Sequence, residues 1–144
     1  MKVVCVTGSV GSGKTTVARK LSRKYKADYI NVNKIIKDYK LSESYDKKRK
    51  CKVVDVRELN RVLIKIIKNS KKSLVVDSHL SHYLSPKYVD LCVVCKCSLK
   101  KLKRRLEKRG YGKAKVRENL DAEIFDVCLN EAKEIGHKIK VIET

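Results

Sequence analysis

The chain has 144 residues and a formal net charge of +20, from 36 Lys and Arg against 16 Asp and Glu. That length suits a single domain, 1–144, which on folding buries roughly two-thirds of its extended surface without disulfide or metal staples. No run approaches the ~20 apolar residues of a membrane span, and the apolar start is too short for a signal peptide, so a soluble cytoplasmic protein is expected.

Val3 to Val6 is a short apolar run, β-branched except for Cys5, and suits a buried parallel strand. It leads into Gly8-Ser-Val-Gly11-Ser-Gly13-Lys14-Thr15, which matches the P-loop pattern of strand, glycine-rich turn and helix. Gly8, Gly11 and Gly13 let the backbone curl so that successive N–H groups face a phosphate. The helix from about Gly13 to Tyr25 adds its positive N-terminal end. Lys14 is placed to reach the β- and γ-phosphates, and the Thr15 hydroxyl to sit on Mg²⁺. The stretch predicts a nucleoside-triphosphate site.

Asp28 to Val32 reads as a second strand and residues 33 to 40 as helical. Ser42 to Lys52 is polar and carries Lys47-Lys48-Arg49-Lys50, so a loop or mobile segment is expected. Residues 55 to 68 form an amphipathic helix on Leu59, Val62, Leu63, Ile66 and Ile67, with Asp55 able to cap it. Leu74 to Asp77 is a buried strand ending in a carboxylate, and Val89 to Cys95 a fourth strand. Leu99, Leu102 and Leu106 line one face of a helix ending near Arg109-Gly110, followed by a basic turn over 109 to 116. Residues 117 to 134 read as one long helix with Leu120, Ile124, Val127 and Cys128 inward and Glu118, Asp121, Glu123 and Asp126 outward. Lys138 to Ile142 is the last strand.

Strands alternating with helices predict an α/β fold: a P-loop NTPase with a doubly wound, parallel, five-stranded sheet. In such sheets ligands bind beyond the C-terminal strand ends, where Gly8 and Asp77 both fall. Asp77 after three apolar residues has the arrangement of a carboxylate that holds the Mg²⁺ shell opposite Thr15. An ordinary strand-end Asp capping a turn is the plainer reading. His79 is a candidate to orient or deprotonate a water or to contact a base, with a roleless loop histidine as the alternative; nothing supports a role for His82 or His137. Phosphoryl transfer needs positive charge at the moving group, and Arg109 beside Gly110 is the candidate to close over it. Six cysteines are present, and Cys92-Val-Val-Cys95 has CxxC spacing. On a strand those two side chains face opposite ways, which favours packing over metal or redox chemistry. The excess of lysine suits a polyanion partner such as RNA or a ribosome, or simply a lysine-rich proteome.

The pieces TGSVGSGKTT, YINVN, VVDSH and RLEKRGYGKAKVRENLDAEIFDVCLNEA occur in an order that resembles the small adenylate kinase isoenzyme six family, the CINAP-like proteins and their archaeal relatives. The resemblance implies an adenylate-kinase-like sheet of order 2-3-1-4-5, a monophosphate-binding segment over 29–52 and a short lid over 109–119. It implies nucleoside-monophosphate kinase activity of broad specificity preferring AMP, ATPase activity, and Mg²⁺ carried with ATP. Eukaryotic members act in maturation of the small ribosomal subunit and bind a small-subunit ribosomal protein, so the resemblance implies such a partner; with the charge, pre-rRNA or the ribosome is expected as well, and a monomer is expected. By position, ATP contacts fall on Gly11, Gly13, Lys14, Thr15, Thr16 and Arg109, and Asp77-Ser78-His79 matches the family's Asp-x-His, linked to ATP hydrolysis.

Two departures bear on the acceptor. The family's NVGD-type turn reads Asn31-Val32-Asn33-Lys34, and Lys37 stands where relatives commonly carry arginine. An ammonium attracts the acceptor phosphate without gripping it bidentately. AMP is therefore assigned to Lys34 or Lys37. Two readings follow: a kinase converting ATP and AMP into two ADP, or an ATP-hydrolysing assembly factor whose kinase reaction is incidental.

Overall fold

A computed structural model describes residues 1–46 and 51–144. Five strands form one parallel sheet: β1 (Val3–Gly8), β2 (Asp28–Asn31), β5 (Leu74–Asp77), β6 (Leu91–Lys96) and β7 (Ile139–Glu143), in the order β2-β5-β1-β6-β7. Counted among themselves, these strands have the expected order 2-3-1-4-5. The sheet is doubly wound. Alternation along β1 sends Val3 and Cys5 to one face and Val4 and Val6 to the other. The first face is covered by α2 (Val32–Asp38), α3 (Val56–Asn69) and α6 (Val127–Ile135); the second by α1 (Lys14–Tyr25).

The helix α3 buries Leu59, Leu63 and Ile67 on one stripe, and the Asp55 carboxylate accepts from the Arg57 N–H at 2.9 Å. Each fully buried leucine contributes about 2 kcal/mol through removal of apolar surface from water. A third cluster joins α4 (Leu99–Lys108) to α5 (Lys113–Ile124) through Leu102, Leu106 and Val116. Cys92 and Cys95 lie in the cores on opposite faces of the sheet. No helix among the described residues is long and apolar enough to cross a membrane.

Several sequence expectations are corrected. Residues 42 to 52 are not simply a loop: β3 (Ser42–Asp46) and β4 (Cys51–Val54) pair antiparallel, Tyr45 opposite Lys52 and Asp46 opposite Cys51. Strand pairing is non-local, and a polar composition does not forbid it. The basic cluster 47–50 lies outside the described residues.

The long helix over 117 to 134 is two helices. The chain enters helix already at Lys113, shortening the basic turn, and breaks at Phe125-Asp126, where Asp126 takes a left-handed φ of 51°. The break turns the next segment, so the periodic assignment fails across it. Ile124 and Val127, expected inside, are 50% and 39% exposed, and Phe125 is 69% exposed. Glu123, expected outside, is buried because Lys96 on β6 ion-pairs with it and with Asp126. Leu99 is likewise exposed, as the first residue of its helix, ahead of the turns that pack.

Candidate functional site

The parallel register sets Val6 of β1 beside Asp77 of β5, so the glycine-rich turn and the Asp77 carboxylate leave the same edge of the sheet. Within the turn, Gly8, Gly11 and Gly13 take φ of 145°, 87° and 87°, and the Ser12 N–H donates to the Ser9 carbonyl at 3.0 Å. Lys14 starts α1 and folds back to donate from Nζ to the Ser9 carbonyl at 2.9 Å. Burial lowers its pKa, and the Asp77 carboxylate opposes that shift. An ammonium at the edge of a cleft, with a carbonyl as its partner, is poised to exchange that partner for a phosphate.

The Thr15 hydroxyl donates to Asp77 Oδ2 at 2.9 Å, and the Tyr29 hydroxyl donates to the same oxygen at 2.5 Å. Burial, then the bond to Asp77, raises the Tyr29 pKa to about 12, so Tyr29 stays a donor at neutral pH. A hydroxyl and a carboxylate in contact at the mouth of a phosphate-binding turn are hard oxygen donors. They fit Mg²⁺, which keeps most of its waters and takes few protein ligands.

These groups open on a cleft of about 660 Å³. That volume is in the range of nucleotide-sized ligands. One wall is Val10, Gly11 and residues 13–16; a second is Asn31, Asn33, Ile36, Lys37 and Val54; buried Asp77 and Ser78 form the floor, and His79 and Leu80 continue from it toward the rim. The remaining side is Arg109, Tyr111, Lys115, Glu118 and Asn119.

Of the residues chosen from sequence, Gly11, Gly13, Lys14, Thr15, Thr16, Lys37, Asp77, His79 and Arg109 line the cleft together. Gly8 does not; it is buried beneath, close to the Cys95 carbonyl. Nor does Lys34. On α2, Asn33, Ile36 and Lys37 share one face by helical spacing, and Lys34 is turned about 100° from Asn33, out to solvent. His79 is an exposed residue at the rim. Even so, the protein crowding its ring, then the Lys14 ammonium, His82 and Lys115, push its pKa down. Its imidazole is therefore neutral at pH 7.

Sequence reasoning missed Tyr29, Lys115 and the histidine behind the site. Lys115 Nζ lies 3.9 Å from the centroid of the Tyr111 ring. His82, 1% exposed, has Nδ1 2.7 Å from Thr7 Oγ1 and Nε2 3.2 Å from Glu131 Oε1. Tyr29 stood in a recognisable segment, but its reach to Asp77 depends on a neighbouring strand.

Comparison with known proteins agrees with this architecture. The AAA_18 family, an AAA domain, matches residues 4–126. The chain is 38% identical over 130 residues to a protein of Methanocaldococcus jannaschii named "Putative adenylate kinase", an overlap of 90% of this chain and 71% of that one. It is 33% identical over 131 residues to the "Adenylate kinase isoenzyme 6 homolog" of Caenorhabditis elegans, covering 91% and 72%. Among solved structures, shikimate kinase from Acinetobacter baumannii in complex with shikimate superposes with a TM-score of 0.66 at 14% identity, covering all of this chain and 84% of that one. That last likeness is one of fold.

Proposed function

This chain belongs to the family of the archaeal adenylate kinase homologues and the adenylate kinase isoenzyme 6 homologue, and from that premise we propose that it moves the γ-phosphoryl group of ATP to a nucleoside monophosphate, AMP foremost, giving two ADP. The observation that carries the reading is the pairing of two cationic walls across one cleft, Lys14 with the glycine-rich turn on one side and Lys37 with Asn33 on the other.

The backbone N–H groups of the turn and the α1 N-terminus bind the ATP phosphates. Lys14 releases the Ser9 carbonyl and follows the β- and γ-oxygens. Lys37 draws the acceptor phosphate into line. Arg109 and Lys115 descend with the 109–119 segment, add positive charge where it is needed and exclude water. Thr15 and Asp77, whose side chains meet at the mouth of the turn, would hold the Mg²⁺ that comes with ATP, and the ion would supply charge neutralisation on the phosphates.

ATP hydrolysis is the second reading, favoured by one observation. His79 presents a neutral imidazole to the same cleft, near Lys14, and can orient a water when no acceptor is present. The charge of +20 suits a polyanionic setting, and the assembly role would couple hydrolysis to a small-subunit ribosomal protein and pre-rRNA.

Purified protein with Mg²⁺ and ATP, with and without AMP, separates the readings. ADP formed only with AMP, and no free phosphate, is the kinase result. Free phosphate without AMP, stimulated by a ribosomal protein, is the assembly-factor result. Either activity surviving in Lys14→Ala removes the site assignment.

A further inference from the structure

We propose that Tyr29 is a positioning residue for the metal that accompanies ATP: its hydroxyl fixes the Asp77 carboxylate so that one oxygen is free for the metal's hydration shell. This rests on the proposed nucleotide site. Four observations carry it. The Tyr29 hydroxyl and the Thr15 hydroxyl both donate to Asp77 Oδ2, at 2.5 and 2.9 Å, which leaves Oδ1 uncommitted to either. Tyr29 belongs to β2, whose parallel register against β5 sets Tyr29 beside Val75 and Asn31 beside Asp77, so the ring reaches along the sheet to the end of the neighbouring strand. The ring is packed in the core shared with Val17 and Leu21 of α1, and the Arg19 guanidinium carbon lies 5.1 Å from its centroid. Asp77 is 8% exposed, so few waters can take the place of a lost donor.

The two hydroxyls are not equivalent. Thr15 lies in the first turn of α1 beside the glycine-rich turn and must offer a lone pair to the cation when Mg-ATP enters. Its bond to Asp77 then has to share geometry with the metal. Tyr29 reaches the carboxylate from the opposite strand and has no such second duty. It is the donor that keeps Asp77 from rotating between the empty and loaded states. Loss of such outer-shell partners lowers metal affinity by about 10- to 100-fold. Tyr29→Phe removes the hydroxyl and keeps the ring against Arg19 and the α1 face.

The test is calorimetric binding of a non-hydrolysable ATP analogue, measured once with Mg²⁺ and once with EDTA. Wild type is expected to bind more tightly with Mg²⁺. Tyr29→Phe is expected to keep the EDTA affinity and to lose about tenfold of the Mg²⁺-dependent gain. In an Asp77→Asn background the same substitution should change nothing further, because its route runs through that carboxylate. A full Mg²⁺ gain in Tyr29→Phe overturns the proposal, as does an equal loss with and without metal, which marks a merely structural ring. Lys14→Ala is the separate control for the site. If it binds the analogue like wild type, the nucleotide reading falls; if it does not, while Tyr29→Phe keeps its gain, only the role of Tyr29 falls.

Discussion

Thr7 and His82 meet behind the glycine-rich turn, Oγ1 2.7 Å from Nδ1, where one residue lies near the end of the buried strand β1 and the other in a short helical turn after Asp77. The Glu131 carboxylate accepts from Tyr83 and faces Nε2, so the tautomer that suits both contacts has Nε2 donating to Glu131 and Nδ1 accepting from Thr7. Tyr83 donates to the other Glu131 oxygen at 2.5 Å, and Ser81 Oγ donates to the Val6 carbonyl at 3.0 Å. The network clamps the strand that launches the phosphate-binding turn to the loop that carries His79.

Burial lowers the His82 pKa, against the pull of Glu131. The unfolded chain therefore takes up a proton near pH 6.5 that the folded chain refuses. Stability contributed here is complete above that pH and falls as the pH drops toward the folded value. His79 is shifted the same way. Melting temperature is expected to decline from pH 7.5 to pH 5. His82→Gln should flatten that decline in part, leaving the share due to His79. It should also lower stability at pH 7.5 by about 2 kcal/mol, through an unsatisfied Thr7 or Glu131. An unchanged slope in the variant removes His82 as its source.

Gly8 and Gly110 both take positive φ, 145° and 80°, yet they should respond differently to alanine. A Cβ at Gly8 would stand 2.6 Å from the Cys95 carbonyl oxygen and 2.7 Å from Ser12 Oγ; at Gly110 nothing lies within 4 Å. Gly110→Ala should cost about 1 kcal/mol, from the left-handed backbone alone. Gly8→Ala should cost more than ~3 kcal/mol and abolish ATP binding, since backbone cannot yield as a flexible side chain does. Denaturant melts of both variants, with ATP binding measured beside them, check the contrast.

Lys37 lines the cleft and Lys34 does not. Lys37→Ala should raise the KM for AMP about tenfold, with the KM for ATP unchanged, whereas Lys34→Ala should leave both within twofold. Steady-state kinetics varying each nucleotide in turn decides it. Equal effects from the two lysines would mean the acceptor lies elsewhere.

Lys96 is 17% exposed at its side chain and pairs with Glu123, 4% exposed, and with Asp126, 44% exposed. Lys96→Met strands a buried carboxylate and should destabilise by about 3 kcal/mol. Asp126→Asn leaves the buried pair intact and should cost less than ~1 kcal/mol. Urea unfolding of the two variants is the measurement, and similar values would place the stabilisation in the exposed half of the cluster.

The chain's order of residues was enough to specify the strand, the glycine-rich turn and the helix that begins at Lys14. Each depends on short-range chemistry: β-branched packing, glycine's access to positive φ, and unpaired N–H groups at a helix start. It specified the parallel sheet as well, because buried strands alternating with amphipathic helices admit few arrangements. Only tertiary structure decided which cations face the cleft, since Lys34 and Lys37 differ by rotation on one short helix. It alone broke the helix at Asp126 and drew Glu123 inward, through a lysine that lies 27 residues away on another element. It alone brought Tyr29 and Thr15 to one oxygen of Asp77, because hydrogen bonds of about 3 Å between distant residues depend on strand register, which local sequence does not encode.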